Sequence, residues 1–417
     1  MRIAIVGGGT AGHMALAHFS NHWPSAELVH VFDTSRPTIG VGEGTTPDFV
    51  QWLASIGIGI DALARHCQAT PKRGLRFEGW GKHQSKFDHE FLPRSQQAVH
   101  FSAAKLPELL TAHSKYQHID ESVAKISSSD EHTVIVTSSG KQINVDLVID
   151  ARGFPAQHET ESHHFDWITT DSALVTKAPL IVDLMITRAI ARPRGWIFCI
   201  PLANETSFGY VYNSKLSTQV EASDDFQAFL SEQGVSNAKP LRNLKFPNFV
   251  RRNVFDGRVF HIGNCASFLE PLEATAIGVI TLQLHLIMHW RELLDQGMPA
   301  PQAADRINRI HEDTLLKVSI FIAWHYAAGS RYDTPFWQTA ADRFHDLTGL
   351  PVLSSIFQKF DAIRNEADEI PLSTLSQLNT ADDVIRHSLG DLTQGNFGGY
   401  NKLSFAQIAS GLGVPNT

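Results

Sequence analysis

The chain has 417 residues, 43% of them apolar and 19% charged, with a formal net charge of −8. That length supports a large core, with two or three structural units around one functional centre. Charge spread without blocks excludes a basic patch for nucleic acid or a membrane surface, and three distant cysteines (Cys67, Cys199, Cys265) exclude a disulfide framework and fit a reducing cytoplasm.

The N-terminus opens on "MRIAIVGGG", a short apolar run that predicts a strand buried on both faces and a glycine turn, with no targeting segment. "GGGTAGHMALAHFSNHW" predicts a turn opening a helix, and "AELVHVFD" the next parallel strand. Gly7, Gly9 and Gly12 form a GxGxxG across that corner. Gly7 permits the tight turn, Gly9 lets backbone approach a pyrophosphate, and Gly12 lets the helix pack on the strand. Thr10 and Ala11 start the helix, and Asp33 ends the second strand where a carboxylate meets ribose hydroxyls.

In "ATPKRGLRFEGWG" (69–81) Lys72, Gly74, Arg76 and Glu78 alternate with Arg73, Leu75 and Phe77. Periodicity does not decide whether Lys72 faces solvent or a cavity. "AVHFSAAKLPELLTAHSKY" reads as helical, restarting near Pro107, and "HTVIVTSS" and "INVDLVIDARG" read as strands joined by a turn at Ser139–Gly140. From about 160 to 250 the texture is that of a separate sheet. "GRVFHIGNCA" returns to the buried-strand pattern and ends in a glycine turn at Gly263. A strand and glycine turn this late close over the flavin end of the cofactor in hydroxylase-type folds, which favours FAD over NAD.

"FLEPLEATAIGVI" then places Pro271 before a helix predicted to begin near Glu273. The first-turn amides of Thr275, Ala276 and Ile277 can hold an anion or the electron-rich edge of a flavin. Alternatively, Glu273 faces water and merely complements the helix dipole. The apolar stretch 274–290 reads as a buried helix rather than a membrane span, and the remainder is mostly helical. "ESHHF" and "IHED" lack metal-ligand spacing, so no metal is expected.

Six stretches resemble the flavin-dependent tryptophan halogenase family: "GGGTAGH", "GVGEGTTP" (40–47), "KRGLRFEGW" (72–80), "GWIFCIP" (195–201), "GNCASFLEPLEATAI" (263–277) and "FIAWHYAAGSRYDTPFW" (321–337). The resemblance implies an α/β fold: an FAD-binding Rossmann-type (hydroxylase-like, GR2) domain with a mixed β-sheet substrate layer and a C-terminal helical region. It places the FAD-binding unit at 1–160 plus 256–300, the β-rich layer at 161–255 and the helical region at 301–417. Residues 65–95 serve the substrate side.

The resemblance further implies that reduced FAD (FADH2), supplied by a separate flavin reductase, reacts with O2 to a hydroperoxide that oxidises a halide ion. Hypohalous acid then passes to Lys72, which delivers bromine or chlorine to a small aromatic substrate of indole or phenol type, with Glu273 beside the lysine. Val41, Glu43, Gly44, Gly263 and Ile277 join the cofactor set; Thr275 and Ala276 hold halide; His89, Phe91, Trp196 and Phe198 line the substrate pocket. A homodimer is compatible with the family. The family's WxWxIP motif carries Phe198 for its second tryptophan here, which keeps open a flavin monooxygenase hydroxylating an aromatic substrate. The tail after DTPFW is shorter than in tryptophan-specific members, which leaves a flavin-binding protein without turnover as a third reading.

Overall fold

The computed structural model describes residues 1–36, 42–129, 132–155, 162–179, 185–236, 238–239, 241–370, 372–375, 378 and 396–413. Its first unit is a five-stranded parallel sheet, in spatial order Val259–His261, Leu147–Asp150, Arg2–Val6, Glu27–Val31 and Gln117–Ile119. Both faces are covered, which is why these strands read as unbroken apolar runs. Ile3 and Ile5 pack with Met14, Phe19, Leu284 and Ile287 on one side. Ala4 and Val6 pack with Ile135 and Ile143 of an antiparallel three-stranded sheet on the other.

The second unit is a seven-stranded mixed sheet, ordered Arg242–Lys245, Ser172–Pro179, Glu205–Tyr212, Gly195–Pro201, Thr187–Arg192, Gly74–Glu78 and Lys86–Glu90. Alternation along Gly195–Pro201 splits its side chains between two cores. Ile197 and Cys199 meet the helix Gln219–Glu232, while Trp196, Phe198 and Ile200 join the core made with the C-terminal helices. That helix starts with a capping box between Thr218 and Glu221 inside a stretch whose texture is otherwise strand-like.

Between the two sheets lies a small antiparallel one, Gly42–Gly44, Ala98–Ser102 and Thr70–Lys72. Here the sequence reading needs correction: "AVHFS" is a fully buried strand, and only Leu106–Thr111 is helical, with Pro107 in its first turn. Burial on both sides overrides the helical composition. Helix Thr275–Asp295 is long and apolar enough to cross a membrane by length and composition, but it packs into the first core through Ile277, Leu284 and Ile287. Helix Ala300–Trp324 runs from the first core, at Ala303 and Ile307, into the second, at Leu315 to Trp324. All three cysteines are buried and free.

Candidate active site

The glycine turn comes first in chain order. Gly7 has φ +119, and a Cβ there would stand 2.4 Å from the Ala151 carbonyl oxygen; on Gly12 it would stand 2.0 Å from the carbonyl oxygen of Gly7. Neither position accepts a side chain. Nothing lies within 4 Å of the Cβ position on Gly9, and the first turn of helix Thr10–His22 holds no acidic residue. Open backbone beside the amides of Thr10 and Ala11, at the positive end of a helix, fits a pyrophosphate.

The Ala11 Cβ approaches within 2.7 Å of the Cβ position on Gly263, so the late glycine turn is brought onto this helix. Asp33 accepts from the Ser35 amide (3.0 Å) and hydroxyl (2.5 Å), which with Arg36 hold its carboxyl below the usual range. Burial raises the Glu43 carboxyl to about 7. Val41 lies outside the described residues. The sequence reading passed over His30, whose Nε2 contacts the Gly7 carbonyl at 2.9 Å and braces the turn from below.

Lys72 is 0% exposed. The alternation that put it on a face with Arg76 and Glu78 is broken at Arg73. Thr70–Lys72 pairs with Ala98–Ser102, whereas Gly74–Glu78 belongs to the seven-stranded sheet. Arg73 bridges them, exposed, its amide bonded to Met185. The two pieces therefore have independent registers, and Lys72 turns inward. Its Nζ donates to the Thr45 carbonyl at 2.9 Å, lies 5.1 Å from the Phe91 ring centre, and is 3.3 Å from the Cβ position on Gly44. Among the described residues no carboxylate lies within ion-pair distance of it. Burial lowers the amine's pKa to about 7, with Glu273 acting the opposite way.

Glu273 and Ala274 both have left-handed backbone, φ +64 and +57, so the helix begins at Thr275 rather than near Glu273. This turn swings the Glu273 side chain inward; it is 1% exposed. Its oxygens meet His89 Nδ1 at 2.9 and 3.0 Å and His325 Nε2 at 3.0 Å. Burial pushes the carboxyl up, but His89 and His325 together outweigh it and hold the group well below the usual carboxylate range. Ala274 is the link to the lysine: its Cβ and Lys72 Nζ both face the missing Cβ of Gly44, at 3.5 and 3.3 Å.

Aromatic rings frame the chamber. His89 lies 6.4 Å from Phe91 and 6.3 Å from Tyr400, and Tyr400 stacks on Phe321 at 3.8 Å. Gln407 pins the C-terminal segment to the edge strand through the Glu90 amide (2.7 Å) and carbonyl (3.2 Å). Thr275 and Ala276 border a cavity of about 20 Å³ together with Gly263, Asn264 and Leu269. Ile277 puts its side chain into the first core. Trp196 contacts Trp80 and Phe198, and the tip of the Phe198 ring takes the space a Cβ on Gly209 would need. Neither has a ring contact with Phe91, His89 or Tyr400.

His325, Phe321 and Tyr400 were missed as site residues. The first two stand in the quoted stretch 321–337, which was the available signal; Tyr400 had none. Asp150, His261 and Cys265 also converge, their ligand atoms within 4.8 Å of one another, but the Arg152 guanidinium takes both Asp150 oxygens, at 2.8 and 2.9 Å.

A family model described as tryptophan halogenase matches residues 2–99 and 92–416. The tryptophan 7-halogenase RebH of Lentzea aerocolonigenes is 25% identical over 419 residues, covering 81% of this chain and 78% of that protein. The tryptophan 6-halogenase SttH of Streptomyces toxytricini is 23% identical, covering 82% and 81%. Among solved structures, a tryptophan halogenase from Shewanella frigidimarina NCIMB 400 superposes with a TM-score of 0.78 at 22% identity, covering 99% of this chain and 88% of that one. BrvH, a flavin-dependent halogenase from Brevundimonas sp. BAL3, gives 0.71 at 23% identity, covering 82% of each. With the fold, the glycine turn and the family match in agreement, the chain belongs to the tryptophan halogenase family.

Proposed function

We propose that this chain is a flavin-dependent halogenase that installs bromide or chloride on an electron-rich arene of indole or phenol type. Its reduced FAD comes from a separate flavin reductase. The observation that carries the reading is Lys72: a fully buried amine, bonded to a neutral carbonyl and set over an aromatic ring, beside a carboxylate held by two histidines. Lysine is seldom buried without a carboxylate partner, so this placement calls for a chemical reason.

Bound reduced flavin and oxygen supply the oxidation of halide to hypohalous acid. Gly7, Gly9, Gly12 and the helix amides hold the dinucleotide, and the cavity at Thr275 and Ala276 receives the halide. A Lys72 N–H donates to the hypohalous oxygen. The arene's π electrons form the carbon–halogen bond, and hydroxide departs with the lysine proton as water. The ring proton leaves to the Glu273 group, which returns the aromatic pair to the ring. With that proton passed from the Glu273 group back to the Lys72 amine, the halogenation step balances as arene plus hypohalous acid giving haloarene plus water. Lys72→Ala tests this: product formation should fall at least ~100-fold, on the scale of a lost proton donor, with flavin binding unchanged by fluorescence titration. Retained turnover in that variant overturns the proposal.

A further inference from the structure

We propose that His325 is the counter-charge of Glu273, sharing one proton with that carboxylate and thereby leaving Lys72 without an ion-pair partner. The inference rests on the halogenase reading for its chemical meaning, but its geometry stands separately. His325 Nδ1 lies 2.8 Å from the Phe321 carbonyl, an acceptor with no proton to give, so Nδ1 is the donor. His325 Nε2 lies 3.0 Å from Glu273 Oε1. Two bare acceptors at that distance repel, so one proton sits between them. Whichever atom holds it, the buried pair has no net charge. His89 Nδ1 donates to both carboxylate oxygens and completes the satisfaction of Glu273.

The consequence falls on Lys72. A buried carboxylate without His325 would have the lysine as its nearest cation, and desolvation would favour a tight pair. A lysine so paired has its proton held in the ion pair and is a poor acid toward the hypohalous oxygen. Neutralised by His325, Glu273 leaves the amine bonded only to Thr45 and able to exchange its proton near neutrality. Other titratable groups face the same space: Asp48 from the segment after Thr45, His89 and His100 from neighbouring strands, and Tyr400 from the C-terminal segment. All are common to the variants compared below. His325 is therefore a positioning residue, acting through Glu273.

The test uses stability as well as turnover. The folded-state pKa of Lys72 is depressed, so its burial destabilises the fold below about 7 and ceases to do so above the unfolded value of 10.5. Lys72→Met should therefore raise Tm at pH 6 and lose that advantage by pH 10. In a His325→Gln background, where glutamine donates a hydrogen bond but holds no extra proton, the same lysine replacement should lower Tm at pH 6, because it strips Glu273 of its last cation. In parallel, the alkaline-side loss of kcat/KM in His325→Gln should move up by about one pH unit or more. Adding Glu273→Gln to His325→Gln should restore the rise in Tm at pH 6 on Lys72→Met, because no buried carboxylate is then left to be stripped of its cation. Equal Tm changes in both backgrounds, with an unmoved limb, overturn the inference. If His325→Gln fails to fold, recovery of folding in the charge-matched Glu273→Gln/His325→Gln protein supports it and failure of both overturns it. An inactive parent with the stability reversal intact would instead sink the halogenase reading alone.

Discussion

Glu270 illustrates how one buried carboxyl reports on its surroundings. It is 0% exposed and accepts hydroxyl protons from Thr170 and from Tyr326 at 2.6 Å, yet burial still raises its pKa to about 7. A folded value above the unfolded one means the group's stabilising effect is present below pH 4.5 and lost as pH rises through 7. Glu270→Gln, which cannot ionise, should therefore compare with the parent more favourably at pH 8 than at pH 5. The swing should be on the order of 3 kcal/mol in unfolding free energy, read by denaturant titration at the two pH values. No difference between them would mean the carboxyl is ionised throughout. Gly44 offers a second check at this scale. A methyl there would sit 3.3 Å from Lys72 Nζ and 3.5 Å from the Ala274 Cβ, so Gly44→Ala should lower kcat, read under saturating reduced flavin, and an unchanged kcat would mean this approach does not matter to turnover. Residues such as these were only half visible in the sequence. Lys72 and Glu273 were found through quoted motifs, but the inward turn of Lys72 comes from a register break at Arg73 that no periodicity encodes.

The turn before helix Thr275–Asp295 is the element that sets the chamber. Two successive left-handed residues, Glu273 and Ala274, aim the carboxylate at His89 and His325 while Thr275 and Ala276, next in the chain, line the small cavity. A left-handed alanine costs roughly 1 kcal/mol relative to a conformation it prefers. Ala274→Gly should thus be tolerated in Tm and in turnover, whereas Ala274→Val, β-branched at positive φ, should lower both. If valine is accepted without loss, the turn is not fixed as described. The sequence placed this helix within two residues, because Pro271 and the apolar run mark its start, but it missed the left-handed pair, since neither residue is glycine or asparagine. The strand Ala98–Ser102 was misread for the opposite reason: its alanine-containing composition says helix, and only the sheets on either side make it a strand.

At the scale of the molecule, the parallel sheet and the seven-stranded sheet were both legible, the first from its unbroken apolar strands and GxGxxG, the second from its run of β-rich segments. The closing of the chamber was not. Tyr400 and Gln407 arrive from a C-terminal segment more than 300 residues from His89 in sequence, and nothing local announces that return. The described side chains around the chamber bring together the rings of Phe91, Phe321 and Tyr400, the bases Lys72, His89 and His325, and the acids Glu273 and Asp48. A substrate pocket without a dedicated clamp for ammonium and carboxylate gains nothing from an amino-acid group and loses its hydration. Indole should therefore be processed at least as well as free tryptophan, compared by kcat/KM under one reduced-flavin supply. A preference for tryptophan of about a hundredfold or more would reveal such a clamp.

The most direct measurement supplies reduced FAD, oxygen and bromide with an indole panel to the parent protein and to Lys72→Ala, and reads products by mass spectrometry. The parent should yield arene carrying one bromine in place of one hydrogen, only when bromide is present, and Lys72→Ala should yield none while still binding flavin. Hydroxylated arene formed regardless of bromide, and equally by both proteins, would contradict a halogenase built on Lys72.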